Sequence, residues 1–337
     1  ASQLGVAETT LIVSKAASNA AFILAGDDKQ LPPIQPATPP EGLEHVVGSV
    51  YNYVRHHHNV DPLPLQVNYR SCQTLVDFTK CAGYDPKLHS FHENLRLAVL
   101  PPGFPSERPD TWPAELYWTP AWAQMLDPGH PAVCFIYDDD VAGQANSFEA
   151  DAVAALSWLL YGRLDRQLAG ERQGTMEAVP SGHTHDAKHF WEHAVGVVTP
   201  HRAQMSKIVS RLHTIFPIHN PTVIWNAVDT VERFQGQQRD IIIASFGLGD
   251  AELIRSEDEF LYSLNRFNVM ASRARAKLIV LLTRSLVDHL ADDGQVLEES
   301  RLLKNYAESF CQSPTPLLLG FLENGVEILR PGTLRTR

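Results

Sequence analysis

Four polar segments of this sequence contain the residue types that proteins use to bind phosphate. They are AGDDKQLPP, which carries Asp27 and Gln30; VNYRS, which carries Arg70; TVERFQGQQRD, with Gly236 and Gln238; and LNRFNVMASRARAK, with Arg273 and Arg275. Guanidinium groups bind phosphate oxygens in a planar, bidentate geometry, and glycine lets the backbone approach a ligand closely. Each segment is predicted to lie at the carboxyl end of a strand or on the helix that follows, where ligands bind in open α/β sheets. Taken singly, each is equally typical of a polar loop or a solvated helix face.

Helical geometry adds an argument for the last segment, which is predicted to be helical from Leu264 to Arg275. At about 100° per residue, its apolar residues form one stripe. The stripe consists of Phe267, Met270, Ala271 and Ala274. Arg266 and Arg273 fall along one edge of the stripe and Arg275 along the other. The pattern predicts that Arg266 and Arg273 extend sideways from a helix packed on a sheet.

Apolar strands alternate with amphipathic helices through most of the chain, and these elements must position the four segments. Strands are predicted at 21–25, 132–137, 195–198, 223–228, 241–245 and 278–282, and helices at 4–17, 42–58, 149–161, 203–216 and 264–275. Strands that are apolar throughout and separated by helices are typical of a parallel sheet covered on both faces. The expected fold class is therefore α/β, with a parallel sheet flanked by helices.

Prolines and changes in hydrophobic periodicity divide the sequence into three parts. Pro62 and Pro64 follow the predicted helix 42–58 and place a domain boundary near Asp61. The main part, 61–285, contains two interruptions, near 83–130 and 162–192. The first is rich in Pro and Trp with weak periodicity, which is typical of an irregular insertion or a small accessory subdomain. The remaining part, 286–337, is predicted to form a helix and a short cap.

Composition narrows the class of protein and its surroundings. The net charge of −11 argues against a wholly basic nucleic-acid-binding surface, although five basic and no acidic residues lie between 261 and 284. No apolar run approaches the roughly 20 residues that a membrane helix needs, so we expect no membrane partner and an intracellular location, cytoplasmic or nuclear. The four cysteines form no CxxC pairs and are interpreted as free thiols.

Five segments in a fixed order resemble the conserved motifs of a known family. GDDKQLPP, NYRS, VVTPHRAQ, TVERFQGQQRD and LNRFNVMASRARAKLIV closely resemble motifs III to VI of superfamily 1 helicases, and most closely the 1B branch that includes the nonsense-mediated-decay RNA helicase. The resemblance covers residues 1 to about 284, apart from the two interruptions. It implies a RecA-like P-loop NTPase fold, with 1–60 as the C-terminal remnant of a first RecA-like domain, 61–285 as the second, and 286–337 as a C-terminal extension.

The resemblance implies roles around ATP, which such helicases bind between two RecA-like domains. Gln30 is expected to sense the γ-phosphate, with Asp27 fixing its loop. Arg70 and Arg273 are expected to act as arginine fingers. The residues expected near the nucleotide are Gly236, Gln238 and Arg275. The family usually has Glu where Gln238 stands, and an amide can still bond a ribose hydroxyl but brings no negative charge.

The resemblance also implies a partner, a single-stranded or duplex nucleic acid. Thr199, Pro200 and His201 match the family segment that lies on the strand, where a threonine hydroxyl can bind a phosphate. Thr230 and Gln204 are expected to assist. These contacts are made mainly to the nucleic-acid backbone, so the sequence does not discriminate between DNA and RNA.

One motif of the family is absent from the sequence. No GK[ST] occurs, so the loop that cradles the phosphates of ATP is missing, as are the carboxylates that hold Mg²⁺. The chain opens with ASQ where the family commonly reads DEASQ. We therefore expect a piece of a longer product, which needs a missing N-terminal RecA-like domain as its partner and hydrolyses no ATP by itself.

Three alternatives compete with this interpretation. His185, His189 and His193 are spaced i, i+4, i+8, with His183 nearby, and two such histidines can bind Zn²⁺. The segment lacks a nearby cysteine and interrupts the family pattern, so no metal site is expected there. The chain could also be a non-catalytic module that binds nucleic acid or protein. A third alternative is the helicase part of a nuclease or defence protein.

Overall fold

The computed structural model describes residues 3–33, 42 and 48–337, which divide into two compact units that meet between Leu65 and Gln66 in the sequence. The first unit contains helices α1 (Val6–Ser14) and α2 (Val50–His57). The side chain of Ser49 caps α2 by accepting a hydrogen bond from the backbone N of Asn52 at 3.2 Å. Leu4 and Val50 are joined by a backbone hydrogen bond of 2.8 Å, which holds the starts of the two helices together.

Two predictions in the first unit need correction or cannot be assessed. The buried strand expected at 21–25 is absent: these residues form no strand, and the Ile23 side chain is 95% exposed. A strand needs a hydrogen-bonded neighbour, and the described part of this unit contains no other strand. Residues 34–41, and residues 43–47 of the predicted helix 42–58, lie outside the described residues.

The second unit is built around a seven-stranded sheet with the order β10-β11-β3-β9-β8-β6-β7. The strands of this unit are β1 (Val67–Asn68), β2 (His89–Ser90), β3 (Ala132–Tyr137), β4 (Arg172–Gln173), β5 (Met176–Glu177), β6 (Val195–Thr199), β7 (Val228–Thr230), β8 (Arg239–Ser245), β9 (Ala274–Thr283), β10 (Ser313–Glu323) and β11 (Val326–Thr336). The five strands β3, β9, β8, β6 and β7 are parallel to one another, and only β10 and β11 are antiparallel. The predicted α/β class with a parallel sheet is therefore confirmed.

Helices flank the sheet because its central strands are apolar throughout. The helices are α3 (Gln73–Cys81), α4 (Ala121–Met125), α5 (Ser147–Leu160), α6 (Ala187–His189), α7 (Arg202–Ile215), α8 (Pro221–Ala227), α9 (Val231–Phe234), α10 (Ala251–Ser256), α11 (Asp258–Leu261), α12 (Leu264–Ala271), α13 (Arg284–Asp288) and α14 (Gly294–Lys304), with π-helical turns at Phe190–Ala194 and Asn305–Phe310. Every residue of β3, β6 and β8 is buried. In the described ranges, no helix has the length and apolar character needed to cross a membrane.

Two of the predicted elements in this unit differ from the structure. Residues 221–227 are helical rather than extended, because Asn220 accepts a hydrogen bond from the backbone N of Thr222 at 2.9 Å and Pro221 occupies the first turn. The helix predicted to reach Arg275 ends at Ala271, and the chain enters β9 at Ala274. Because Ala274 pairs with Arg239 of β8, this segment joins the sheet, although its sequence has helical periodicity.

This early helix end removes the argument based on one helical face. Arg273 and Arg275 lie after α12, so they do not share an edge with Arg266. The guanidinium of Arg266 instead pairs with Glu232 at 3.0 Å and covers the ring of Phe260 at 4.0 Å. The expectation that Arg266 and Arg273 extend together from one helix is wrong.

The C-terminal residues extend the sheet instead of forming only a helix and a cap. Strands β10 and β11 form a hairpin, and β11 pairs antiparallel with β3. The turn is Asn324-Gly325, with φ of 52° and 79°. Two successive residues of positive φ define the tight turn that suits the twist of a hairpin, and Asn-Gly is its strongest sequence signal. That signal was available in the sequence and contradicts the predicted cap.

The segment 83–130, which interrupts the predicted pattern, is mostly irregular. Apart from β2 and α4, it is made of turns and extended segments. Its apolar side chains, among them Leu97, Trp112 and Trp122, are buried within the second unit.

Candidate functional site

In the first unit, the side chains of the predicted residues Asp27 and Gln30 are hydrogen-bonded to each other within one turn. The Asp27 carboxylate accepts hydrogen bonds from Gln30 Nε2 at 2.9 Å and from the backbone N of Lys29 at 3.0 Å. Asp28 beside it pairs with Arg55 of α2 at 2.7 Å. The side chain of Gln30 is therefore oriented by Asp27, while the sensing of a phosphate by Gln30 stays a prediction.

In the second unit, the segment around Arg70 is fixed against the start of β9. The Asn68 side chain accepts from the backbone N of Arg70 at 2.8 Å and from that of Ser71 at 2.9 Å, which forms a tight turn. The Ser71 hydroxyl donates to the carbonyl of Ala274 at 2.7 Å. The backbone N of Cys72 donates to the carbonyl of Arg275 at 2.8 Å. These bonds place the residues of NYRS beside the residues that surround Arg273.

The side chain of Arg70 connects three of the four segments found in the sequence. Its Nε donates to Gln238 Oε1 at 3.0 Å, and its Nη1 donates to the carbonyl of Ser272 at 2.9 Å. Asn68, Tyr69, Arg70 and Gln238 line an open cleft of about 420 Å³. Burial, and then the positive charge of Arg275, lower the pKa of Arg70. The two acceptors of Arg70 in the cleft, an amide oxygen and a backbone carbonyl, are both neutral groups.

Gln238 reaches Arg70 from a turn that depends on glycine. Helix α9 ends at Phe234, and Gly236 has a φ of 84°, a conformation that residues with a Cβ rarely adopt. The backbone N of Gln237 donates to the carbonyl of Phe234 at 3.1 Å, which closes the turn before β8. Gly236 and Gln238 therefore lie on one tight turn before β8, and their contact with a nucleotide stays a prediction.

The other two predicted arginines are engaged within the protein. Arg273 is only 2% exposed, and its Nε donates to the carbonyl of Val269 at 3.0 Å. Arg275 forms ion pairs with Asp240 at 2.8 Å and with Glu171 of the second insertion. Burial raises the pKa of Asp240 to about 6, although Arg275 opposes the rise. A nucleotide contact by Arg275 stays a prediction, and it would have to compete with two carboxylates.

The position of this cleft corrects one expectation. Gln238 and Arg273 come directly before β8 and β9, so they lie at the amino ends of those parallel strands and not at the carboxyl ends. Thr199 and Thr230 end β6 and β7, at the opposite edge of the same sheet. The predicted nucleotide and nucleic-acid residues of this unit thus occupy opposite edges.

At the carboxyl edge, the side chains predicted to contact a strand are mostly buried. Thr199 has no exposed area, and its hydroxyl accepts from the backbone N of His201 at 3.4 Å. His201 Nε2 lies 2.6 Å from a carboxylate oxygen of Glu257. Thr230 and Pro200 are also buried. Contact with a strand stays a prediction for these four residues.

A buried polar network beneath this edge was missed by the sequence analysis. The carboxylate of Glu149 accepts from Ser245 Oγ at 2.6 Å, from Tyr137 Oη at 2.7 Å and from the backbone N of Gly247 at 2.9 Å. Gln204 Nε2 donates to Ser245 Oγ at 2.9 Å, which ties α7 into the network. Burial raises the pKa of Glu149 to about 7 despite these three bonds.

The sequence at the start of α5 contains a capping pattern that involves two residues of this network. Asn146 caps the helix by accepting from the backbone N of Glu149 at 3.2 Å, and its own backbone N donates to Gln204 Oε1 at 2.7 Å. An Asn followed three residues later by Glu is typical of a helix start. The pattern predicts the cap, but it does not predict that Glu149 is fully buried.

The histidine-rich segment does not assemble a metal centre. His189 Nδ1 lies 2.8 Å from a carboxylate oxygen of Asp186, and its ring centroid is 5.6 Å from that of His193. His185 is buried, and burial lowers its pKa. Over residues 3–33, 42 and 48–337, no three His, Cys, Asp or Glu side chains are arranged to hold a metal ion.

Comparisons with known proteins support the resemblance to superfamily 1 helicases. The profile of the AAA domain family matches residues 48–285. The DNA polymerase alpha-associated DNA helicase A of Saccharomyces cerevisiae is 26% identical over 274 residues, 77% of this chain and 34% of that protein. The DNA replication ATP-dependent helicase/nuclease DNA2 of Mus musculus is 25% identical over 304 residues, 82% of this chain and 25% of that protein. The probable RNA helicase armi of Drosophila melanogaster is 34% identical over 90 residues, 26% of this chain and 7% of that protein.

These matches establish the family of this chain, and they also show what share of each relative it covers. The chain spans about a third or less of the length of these relatives. The family match covers more than half of the chain, including the Arg70 turn, the Gly236 turn and the start of β9. This chain is a member of the AAA domain family, and it carries a RecA-like region typical of superfamily 1 helicases.

Proposed function

We propose that this chain forms part of an ATP-dependent helicase that translocates on nucleic acid and unwinds it. In this proposal Arg70 and Arg273 act as arginine fingers, and Gln30 of the first unit senses the γ-phosphate. One observation carries the proposal: Arg70 donates to the carbonyl of Ser272, the residue before Arg273, although these segments lie 202 residues apart in the sequence. Arginines positioned in this way offset the negative charge that develops on a transferring phosphoryl group.

ATP and Mg²⁺ are the cofactors that this function requires. The guanidinium of Arg70 at the cleft suits phosphate, and the backbone at Gly236 has no heavy atom within 4 Å of the position where a Cβ would stand. The chain contains no GK[ST] motif, so we expect the phosphate-cradling loop and the Mg²⁺ ligands to come from a segment outside this sequence or from another chain. The 337-residue chain alone is expected to hydrolyse no ATP.

Nucleic acid is the proposed partner at the carboxyl edge of the sheet. The names of the relatives include both DNA and RNA helicases. We assign Thr199, Pro200, His201 and Thr230 to contacts with the backbone of a strand. The relatives named helicase/nuclease favour a place for this region in a larger protein with further activities.

The test is substitution of Arg273 in the full-length gene product. Arg273→Ala is expected to reduce nucleic-acid-stimulated ATP hydrolysis by about a thousandfold, since an arginine finger contributes about that much to turnover. Binding of single-stranded DNA and RNA, measured by fluorescence anisotropy, should stay within about twofold because Arg273 lies at the edge opposite Thr199. Arg301→Ala is the matched control, because Arg301 is exposed and forms a surface ion pair with Glu298.

Two outcomes would contradict the proposal. Retained hydrolysis in Arg273→Ala would remove this arginine from the catalytic machinery. A full-length product without any ATP hydrolysis would favour the non-catalytic binding module.

A further inference from the structure

We infer that Glu257 is a positioning residue for the proposed nucleic-acid contact, because its carboxylate fixes the turn from which α7 begins. The inference rests on the proposed function of Thr199, Pro200 and His201 at the carboxyl edge of the sheet. Glu257 Oε2 lies 2.6 Å from His201 Nε2, and Glu257 Oε1 accepts a hydrogen bond from Gln144 Nε2. One carboxylate thus contacts two other segments of the chain.

The three residues of this contact follow three different strands. Gln144 lies between β3 and α5, His201 follows β6, and Glu257 lies between α10 and α11, after β8. These strands are parallel, so their carboxyl ends open onto one edge of the sheet. In the sheet order, β9 and β8 stand between β3 and β6, a separation of about 14 Å at the usual strand spacing. Glu257 therefore joins two loops whose strands are not neighbours.

The hydrogen bond to Glu257 orients the imidazole of His201. His201 is only 8% exposed, and its ring centroid lies 5.7 Å from that of Phe260. Within the described part of the chain, Nδ1 of this ring has no hydrogen-bond partner. Because an ionised carboxylate only accepts hydrogen bonds, Nε2 must carry a hydrogen, and Glu257 thereby selects the tautomer of the neutral ring.

The placement of His201 sets the position of the exposed start of α7. The backbone N of His201 donates to Thr199 Oγ1 at 3.4 Å, and its carbonyl accepts from the backbone N of Met205 at 3.0 Å. Arg202 follows directly and is exposed, and a guanidinium suits the phosphates of a strand. Loss of the Glu257 carboxylate is therefore expected to displace the turn and the exposed arginine together.

The first arm of the test measures strand binding by the full-length gene product. Glu257→Ala is expected to weaken binding of labelled oligothymidylate and oligouridylate about tenfold in fluorescence anisotropy, because the turn loses its orientation. Glu257→Gln keeps an oxygen acceptor for His201 and should weaken binding by no more than about threefold. In both variants kcat for ATP hydrolysis at saturating strand should stay within about twofold, since the Arg70 cleft lies at the opposite edge.

Glu259→Ala is the matched control for the loss of charge. Glu259 is an exposed carboxylate in the same segment. Removal of a negative charge near a phosphate backbone favours binding, so this variant should bind as tightly as the native protein or up to about twofold more tightly. If Glu257 acted through its charge alone, Glu257→Ala would also bind more tightly. A positioning role predicts the opposite sign.

The second arm observes the contact without a strand. Long-range ¹H–¹⁵N NMR spectra of the 337-residue chain at pH 8, where an ordinary imidazole is neutral, report the tautomer of His201. The His201 signals, assigned by their loss in His201→Gln, should show the Nε2–H tautomer in the native chain and a mixture of both tautomers in Glu257→Ala. The same single tautomer in Glu257→Ala would refute the positioning role, as would native strand affinity in that variant. If the tautomer responds as expected but the native full-length protein binds no strand, the contact stands and the proposed function of this edge fails.

Discussion

The two edges of the sheet in the second unit use polar residues in opposite ways. At the amino ends of β8 and β9, Arg70 and Gln238 line an open cleft, and Arg70 retains donors without a described acceptor. At the carboxyl ends of β3 and β8, the carboxylate of Glu149 is fully buried and accepts three hydrogen bonds. The seven residues of β8 separate the two groups by about 20 Å.

The difference lies in what each charge stabilises. The carboxylate of Glu149 interacts only with the protein itself, so its hydrogen bonds fix the strand ends and the start of α5. The guanidinium of Arg70 is held by two neutral acceptors, and in the proposed function its charge acts on a phosphate. We therefore expect substitutions at the carboxyl edge to change the free energy of unfolding, and those in the cleft to change chemistry with little effect on stability.

The largest expected effect is the loss of the Glu149 side chain. Glu149→Ala leaves Ser245, Tyr137 and the backbone N of Gly247 without their acceptor in a buried site, which is expected to destabilise the chain by about 3 kcal/mol or more. Urea unfolding of the 337-residue chain measures this loss. Glu298→Ala removes an exposed carboxylate that forms a surface ion pair with Arg301, and it should cost less than about 1 kcal/mol. A cost below about 1 kcal/mol for Glu149→Ala would remove the distinction between the two edges.

The next effect is a pH dependence that Glu149 imposes on stability. Its folded-state pKa, about 7, lies above the ordinary value of 4.5. Its contribution to stability is therefore fully present below about pH 4.5 and is lost as the pH rises through about 7. Relative to Glu149→Gln, the native chain should lose about 3 kcal/mol of stability between these limits.

The measurement compares urea unfolding of the two proteins at pH 5 and pH 8. Asp240 titrates in the same direction, because burial raises its pKa to about 6, but it is present in both proteins and cancels in the difference. A difference between the two proteins that does not vary with pH would show that Glu149 does not titrate in this range.

Much of this architecture was predictable because its signals are local. The buried strands β3, β6 and β8 are rich in apolar residues, and the amphipathic pattern of α7 places Met205, Ile208 and Leu212 in the core. The predictions failed where pairing overrode local pattern, as at Arg273, which leaves its helix because Ala274 pairs with β8. They also failed at 21–25, where apolar residues alone did not produce a strand.

The same contrast between local and long-range signals applies to the Arg70 cleft and the Glu149 network. The segments around Arg70 and Gln238 were identified from the sequence by their order, but their contact spans 168 residues and no periodicity predicts it. The Glu149 network was missed because a glutamate is normally expected to be exposed, and its three donors come from Tyr137, Ser245 and Gly247 on distant segments. Sequence order thus reveals a site assembled from a family's motifs, whereas a buried carboxylate becomes visible only when the strands are packed.

The smallest expected effect, and the sharpest comparison with Glu149, is the substitution of Arg70 by an uncharged residue of similar length. Burial and the charge of Arg275 disfavour the charged form of Arg70 in the folded chain, as its lowered pKa shows. Arg70→Met removes that unfavourable charge and two hydrogen bonds to neutral acceptors, of which Gln238 can be solvated instead. The free energy of unfolding in urea is therefore expected to change by no more than about 0.5 kcal/mol, with stabilisation favoured over loss. A loss above about 1.5 kcal/mol would show that Arg70 stabilises the fold. The two edges of the sheet would then differ in exposure but not in their contribution to stability.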